Sequence, residues 1–108
     1  RRYGTPLYMA PELARGDAHI DGRVDVFSLG IVLYEILTHL PLLSGETVSE
    51  VTKKLLNEPF PKPSEVAPDR DIPAALEGIC CKALEKKAKN RFHDVNEMIV
   101  ELQDYRAA

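Results

Sequence analysis

The sequence predicts an all-α chain, on three observations. Strict apolar/polar alternation is scarce along its 108 residues. Helix-start signals recur instead, at Pro11, Thr47, Pro73 and Asp94. One stretch, Val24 to about Thr38, is apolar in nearly every direction around a helix and too long for a typical strand.

Taken in order, 1–8 reads as a loop holding Gly4 and Pro6. Pro11 suits the first turn of a short helix through Leu13 and Ala14, which Gly16 ends. A polar loop to Gly22 leads into the central helix, whose apolar surround marks it as buried. Thr47 with Glu50 forms a capping box that opens an amphipathic helix, with Val48, Val51 and Leu55 on one face. Pro59, Pro61, Pro63 and Pro68 predict a stiff extended connector without regular structure. Pro73 starts a helix whose buried stripe is Leu76, Ile79, Cys80, Ala83 and Leu84. Asp94 with Glu97 caps a last helix, with Val95, Met98, Ile99 and Leu102 as its stripe. That makes five helices, no strand and no internal repeat.

With 44% hydrophobic and 29% charged residues, the chain is neither collagen-like nor disordered. A net charge of −3 argues against a nucleic-acid footprint. The longest mostly apolar stretch, Val26–Leu37, is too short to span a bilayer and carries Ser28, Gly30 and Glu35. Opening on Arg1 without an apolar leader, the sequence reads as an internal piece of a longer one. Adjacent Cys80 and Cys81 cannot build a disulfide framework, and His19, His39 and His93 lack partners at zinc-ligand spacing. A reducing, cytoplasmic setting follows.

Glycine-rich phosphate loops, the nucleophile elbow and H-E-x-x-H are all missing from the sequence. Arg15-Gly16-Asp17 is a chance tripeptide, and the cations from Lys82 to Arg91 read most simply as a solvated helix end. Two features resist a bland account. Asp25 stands at the start of the buried helix, where an unpaired carboxylate is costly, unless it merely caps that helix. The dense run Gly4-Thr5-Pro6-Leu7-Tyr8-Met9-Ala10-Pro11-Glu12 packs two prolines and a terminal carboxylate into a loop-to-helix junction.

That run resembles the end of the activation segment of a protein kinase, including its A-P-E motif. Asp21-x-Arg23-x-Asp25-Val26-Phe27-Ser28-Leu29-Gly30 is similar to the start of the kinase F helix, continued by Leu33 to Thr38. Leu76 to Leu84 with Asn90-Arg91 resembles the H helix and the arginine after it, and Glu97-Met98 with Leu102 the I helix. Gly-Thr-Pro-x-Tyr before Ala-Pro-Glu is similar to the serine/threonine branch, and the compact F-helix start to its bacterial members. Two departures are His39-Leu40-Pro41-Leu42-Leu43 before the G helix and Lys87-Ala88 before Asn90.

The resemblance implies a partial kinase C-lobe, helices EF, F, G, H and I, with residues 1–108 forming one piece of a single larger domain. Its N-lobe and catalytic loop would lie upstream. It implies that Thr5 bonds the catalytic aspartate and lysine and so helps position the acceptor hydroxyl. Pro6 and Met9 line the pocket for the residue after the acceptor, and Glu12 forms a buried ion pair with Arg91. Asp25 would accept backbone N–H bonds from the absent catalytic loop, and part of the apolar central helix would be left uncovered.

ATP and magnesium belong to the parent enzyme, and none of the phosphoryl-transfer residues is present, so this piece binds neither cofactor. Its implied partners are a Ser/Thr acceptor peptide and the rest of the kinase domain. Neither nucleic acid nor membrane contacts this segment, though the parent can be membrane-anchored elsewhere. The competing reading is a non-catalytic, pseudokinase-like module that only docks partners. Intact Gly4-Thr5-Pro6 favours the enzyme, because a scaffold has no use for an acceptor-positioning threonine.

Overall fold

The computed structural model describes residues 8–107, which form six α-helices and a single 3₁₀ turn. The helices are α1 (Pro11–Arg15), α2 (Arg23–Thr38), α3 (Val48–Asn57), α4 (Pro63–Val66), α5 (Ala74–Ala83) and α6 (Val95–Ala107), with the 3₁₀ turn at Ala88–Asn90. No strand occurs among the described residues.

Local signals explain most boundaries. Pro11 opens α1, and Gly16 closes it in the left-handed region at φ 75°, where glycine carries no Cβ penalty. The Thr47 side chain accepts the Glu50 N–H at 3.1 Å, and Asp94 accepts the Glu97 N–H at 2.9 Å. In both boxes the glutamate reaches back one residue beyond the cap, to the N–H of Glu46 and of His93. The connector departs from the predicted absence of regular structure, because Pro63 begins the one-turn helix α4. Proline fits that position, since the first-turn N–H has no intrahelical partner. The N–H groups that are present find carboxylates: Lys62 donates to Glu65 at 2.8 Å and Ser64 to Glu77 at 2.7 Å.

α2 is the axis on which the rest assembles, packing against α4, α5 and α6. Phe27, Ile31 and Tyr34 meet Val51 and Leu55 of α3 and Cys80 and Leu84 at α5. A second cluster joins Val26 of α2 to Ile79, Ala83, Phe92 and Met98. Each such side chain contributes about 1.5–3 kcal/mol on burial. The central helix is nevertheless buried on one side only. Leu29, Val32 and Ile36 remain exposed and share a face at helical spacing. Val48 and Ile99, expected in buried stripes, are also exposed among the described residues.

α2 and α5 approach most closely where Gly30 faces Ala83. A Cβ built on Gly30 would lie 2.9 Å from Ala83 Cβ and 3.0 Å from Leu84 Cδ2. The nearest atom, Ala83 Cβ, is a rigid part of α5, so Gly30 is set by close approach and tolerated despite its helix cost of about 1 kcal/mol. Gly30→Ala should therefore destabilise the protein by about 1–3 kcal/mol, against helix propensity, through overpacking. Urea unfolding of the variant checks this, and an unchanged or raised midpoint would contradict the close contact.

Candidate functional site

The segment entering α1 is extended at Ala10 and turns helical at Pro11, which sends Glu12 from the first turn into the interior. Its carboxylate meets the guanidinium of Arg91 in a two-point pair, Nη1 to Oε2 at 2.6 Å and Nη2 to Oε1 at 2.8 Å. The Arg91 side chain is 0% exposed and that of Glu12 7%. Arg91 uses its remaining donors as well. Nε donates to the Glu85 carbonyl at 2.6 Å, Nη1 to that of Arg23 at 3.1 Å and Nη2 to that of Lys86 at 3.1 Å. The guanidinium also lies 4.9 Å from the Phe27 ring centroid, a cation–π contact. Burial alone would raise the Glu12 carboxyl. The hydrogen bonds from Arg91 and from backbone, together with Arg91's charge, outweigh it and hold the carboxyl below its ordinary value.

The residues just before α1 are moored to α2. The Tyr8 hydroxyl donates to Glu35 Oε1 at 2.9 Å, and Ser28 Oγ donates to the Tyr8 carbonyl at 2.5 Å. The hydrogen bond to Glu35, then burial, raises the Tyr8 phenol above its ordinary value. Met9 follows Tyr8 and is exposed. Thr5 and Pro6 lie outside the described residues.

Asp25 differs from expectation. It is exposed rather than buried, and the helix cap is Gly22, so Asp25 sits in the first turn and does not cap. A carboxylate there is favoured by the helix dipole, and its position continues the exposed face of Leu29, Val32 and Ile36. The cations from Lys82 to Arg91 are likewise not all solvated. Besides the buried Arg91, Lys86 turns inward to donate to the Leu55 carbonyl at 2.7 Å and to that of Glu58. Its ammonium lies 4.4 Å from the Phe60 ring centroid, and burial lowers its pKa.

The pattern of the protein kinase domain matches residues 1–101. The chain belongs to the protein kinase domain family. Among curated relatives, the serine/threonine-protein kinase PknB of Mycobacterium tuberculosis is 42% identical over 100 residues, covering 92% of this chain and 15% of its own length. Serine/threonine-protein kinase pkn3 of Myxococcus xanthus is 40% identical over 93% of this chain and 18% of its own. Tyrosine-protein kinase MasK, also from M. xanthus, is 43% identical over 82% of this chain and 13% of its own. This kinase chain thus spans less than a fifth of the length of each. A solved structure of titin kinase and its flanking domains superposes with a TM-score of 0.72 over 92% of this chain and 17% of that one. At 21% identity it shows a shared fold.

Sequence reasoning about this kinase chain did not single out Tyr8, Ser28, Glu35 or Lys86. One signal was available: Glu35 is the only carboxylate between Val26 and Leu37, and a lone charge in so apolar a run needs a partner.

Removing one side of the buried pair leaves an unpaired charge, so Arg91→Ala should cost about 3–5 kcal/mol. An unchanged melting curve would contradict this. The pH dependence has a definite sign. Because folding lowers the Glu12 pKa, the pair's contribution is complete above the ordinary value of 4.5 and is lost as pH falls through the lower folded value. The stability gap between wild type and Glu12→Gln should therefore narrow between neutral pH and about pH 3.

Proposed function

We propose that the chain is the second half of the helical lobe of an ATP-dependent serine/threonine protein kinase and supplies the platform for the acceptor peptide. The supporting observation is the continuous run from Gly4 to Glu12. Its described end is moored through Tyr8 to α2 and through Glu12 to Arg91. A segment clamped at these points presents the residues before it from a fixed base, and positioning is what phosphoryl transfer demands of this region. In this reading Thr5 orients the acceptor hydroxyl through the catalytic loop. Pro6 and the exposed Met9 receive the residue after the acceptor, while Glu12 and Arg91 hold the platform to the lobe. Asp25 and the exposed face of α2 meet the remainder of the domain.

ATP and magnesium are held elsewhere in the parent. Among the described residues no three His, Cys, Asp or Glu side chains come together as a metal site. No helix among the described residues is long and apolar enough to cross a membrane. We assign the activity to the cytoplasm, with any anchor in another segment.

The test is phosphoryl transfer by the full-length protein with magnesium and ATP, followed by phosphoamino-acid analysis. Phosphoserine and phosphothreonine are expected, and Thr5→Ala should lower kcat at least about tenfold with little change in KM for ATP. Phosphotyrosine alone would overturn the acceptor class, to which the name of MasK gives substance. Absence of both transfer and ATP binding would favour the docking module.

A further inference from the structure

Between α5 and α6 runs an open groove of about 450 Å³ whose lining residues take no part in the clamp or the acceptor platform. Gly78 and Ile79 of α5 and Phe92 give it apolar surface, and Glu101, Asp104 and Tyr105 line it from α6.

Gly78 is the first unusual feature. It stands inside α5, where glycine weakens a helix relative to alanine. Neither ordinary reason for a helical glycine applies to it. Its backbone is not in the left-handed region, and a Cβ built on it meets nothing within 4 Å. Gly30, by contrast, is set by the close approach of Ala83. A glycine opening onto a groove leaves room for another chain to come close to the α5 backbone.

The second feature is charge. Glu101 and Asp104 are both exposed and stand three residues apart on one helix face, so they repel each other. Neither forms an ion pair among the described residues. Lys82 is the one cation lining the groove, and its ammonium is placed over the Phe92 ring, 4.5 Å from the centroid. Two carboxylates without cations therefore flank an apolar surface. Tyr105, 40% exposed, adds the kind of aromatic side chain that is enriched where proteins meet.

We propose that this groove docks a basic peptide segment of a partner protein, with an apolar side chain over Gly78 and Ile79 and Lys or Arg side chains on Glu101 and Asp104. The partner's cations relieve the repulsion within the acidic pair, and its apolar side chain takes the space that Gly78 leaves empty. The site is separate from the acceptor platform and stands or falls apart from the kinase reading.

The experiment selects a random twelve-residue peptide library, displayed on phage, against the full-length protein after subtracting binders of its Gly78→Leu variant. A side chain at position 78 enters open space, so that variant fills the groove and should melt no lower than wild type. Subtraction also removes peptides held at the acceptor platform, which the variant leaves intact. Retained peptides should carry at least two Lys or Arg beside an aliphatic or aromatic residue. In fluorescence polarisation the double variant Glu101→Gln, Asp104→Asn should bind them at least about tenfold more weakly than wild type, with a smaller dependence on salt. Retention of no peptide after subtraction would overturn the proposal, as would enriched peptides without basic residues or equal affinity for the double variant. Should Gly78→Leu fold poorly, the double variant takes its place in the subtraction, because both of its changes fall on exposed side chains.

Discussion

The arginine at position 91 is the point on which this chain turns. All five of its N–H donors are used, two on the Glu12 carboxylate and three on the carbonyls of Arg23, Glu85 and Lys86. A guanidinium is suited to this, because its planar fork matches a carboxylate on one edge and leaves donors for backbone on the others. One side chain thereby joins α1, the start of α2, the end of α5 and the turn before α6. Burying two charges is expensive, and the arrangement is sustainable only because nothing on Arg91 is left unsatisfied. α1 is a single short helix, of a length that does not hold itself together in water. Its position depends on the pair.

The same device recurs at lower stakes. Lys86 donates to the Leu55 and Glu58 carbonyls at the end of α3, and Lys54 to the Ser44 carbonyl at 2.7 Å. Arg70 donates to the Leu37 carbonyl at 2.7 Å, where His39 closes α2 in the left-handed region at φ 59°. The Leu37 and Leu55 carbonyls lie near helix C-termini, where they lack intrahelical partners and carry the negative end of the dipole. Arg70 and Lys86, reaching in from loops, satisfy both needs, while Lys54 works in the other sense, from α3 to a loop carbonyl. Three loops are thus fastened to helices by side-chain cations. That helps a chain with long irregular connections hold a defined shape, and it accounts for where Lys86 and Arg91 of the Lys82–Arg91 run go.

Much of this fold was legible because its helices announce themselves locally. The Thr47–Glu50 and Asp94–Glu97 boxes, the prolines at 11 and 73 and Gly16 all act within a turn of where they stand. What escaped notice depends on neighbours. Pro63 opens a helix because carboxylates from positions 65 and 77 meet its first N–H groups. Val48 and Ile99 continue apolar stripes in sequence yet are exposed among the described residues. At the site, periodicity could not have paired Glu12 with Arg91, which lie 79 residues apart; only the family resemblance brought them together. The resemblance also suggested that part of α2 stays uncovered, which agrees with exposed Leu29, Val32 and Ile36. Asp25 is exposed, on a side of α2 that has no packing partner among the described residues, and the resemblance itself places its partners in a catalytic loop outside this chain.

The central claim is that Glu12 and Arg91 act as one unit that fastens the approach to α1 onto the helical body. A double-mutant cycle tests it most directly, comparing urea unfolding of wild type, Glu12→Gln, Arg91→Met and the double variant. The account predicts strong coupling, on the order of 2–3 kcal/mol, with the double variant far less destabilised than the sum of the singles. Additive losses would contradict it, because they would mean that the two side chains stabilise the fold independently and the pair organises nothing.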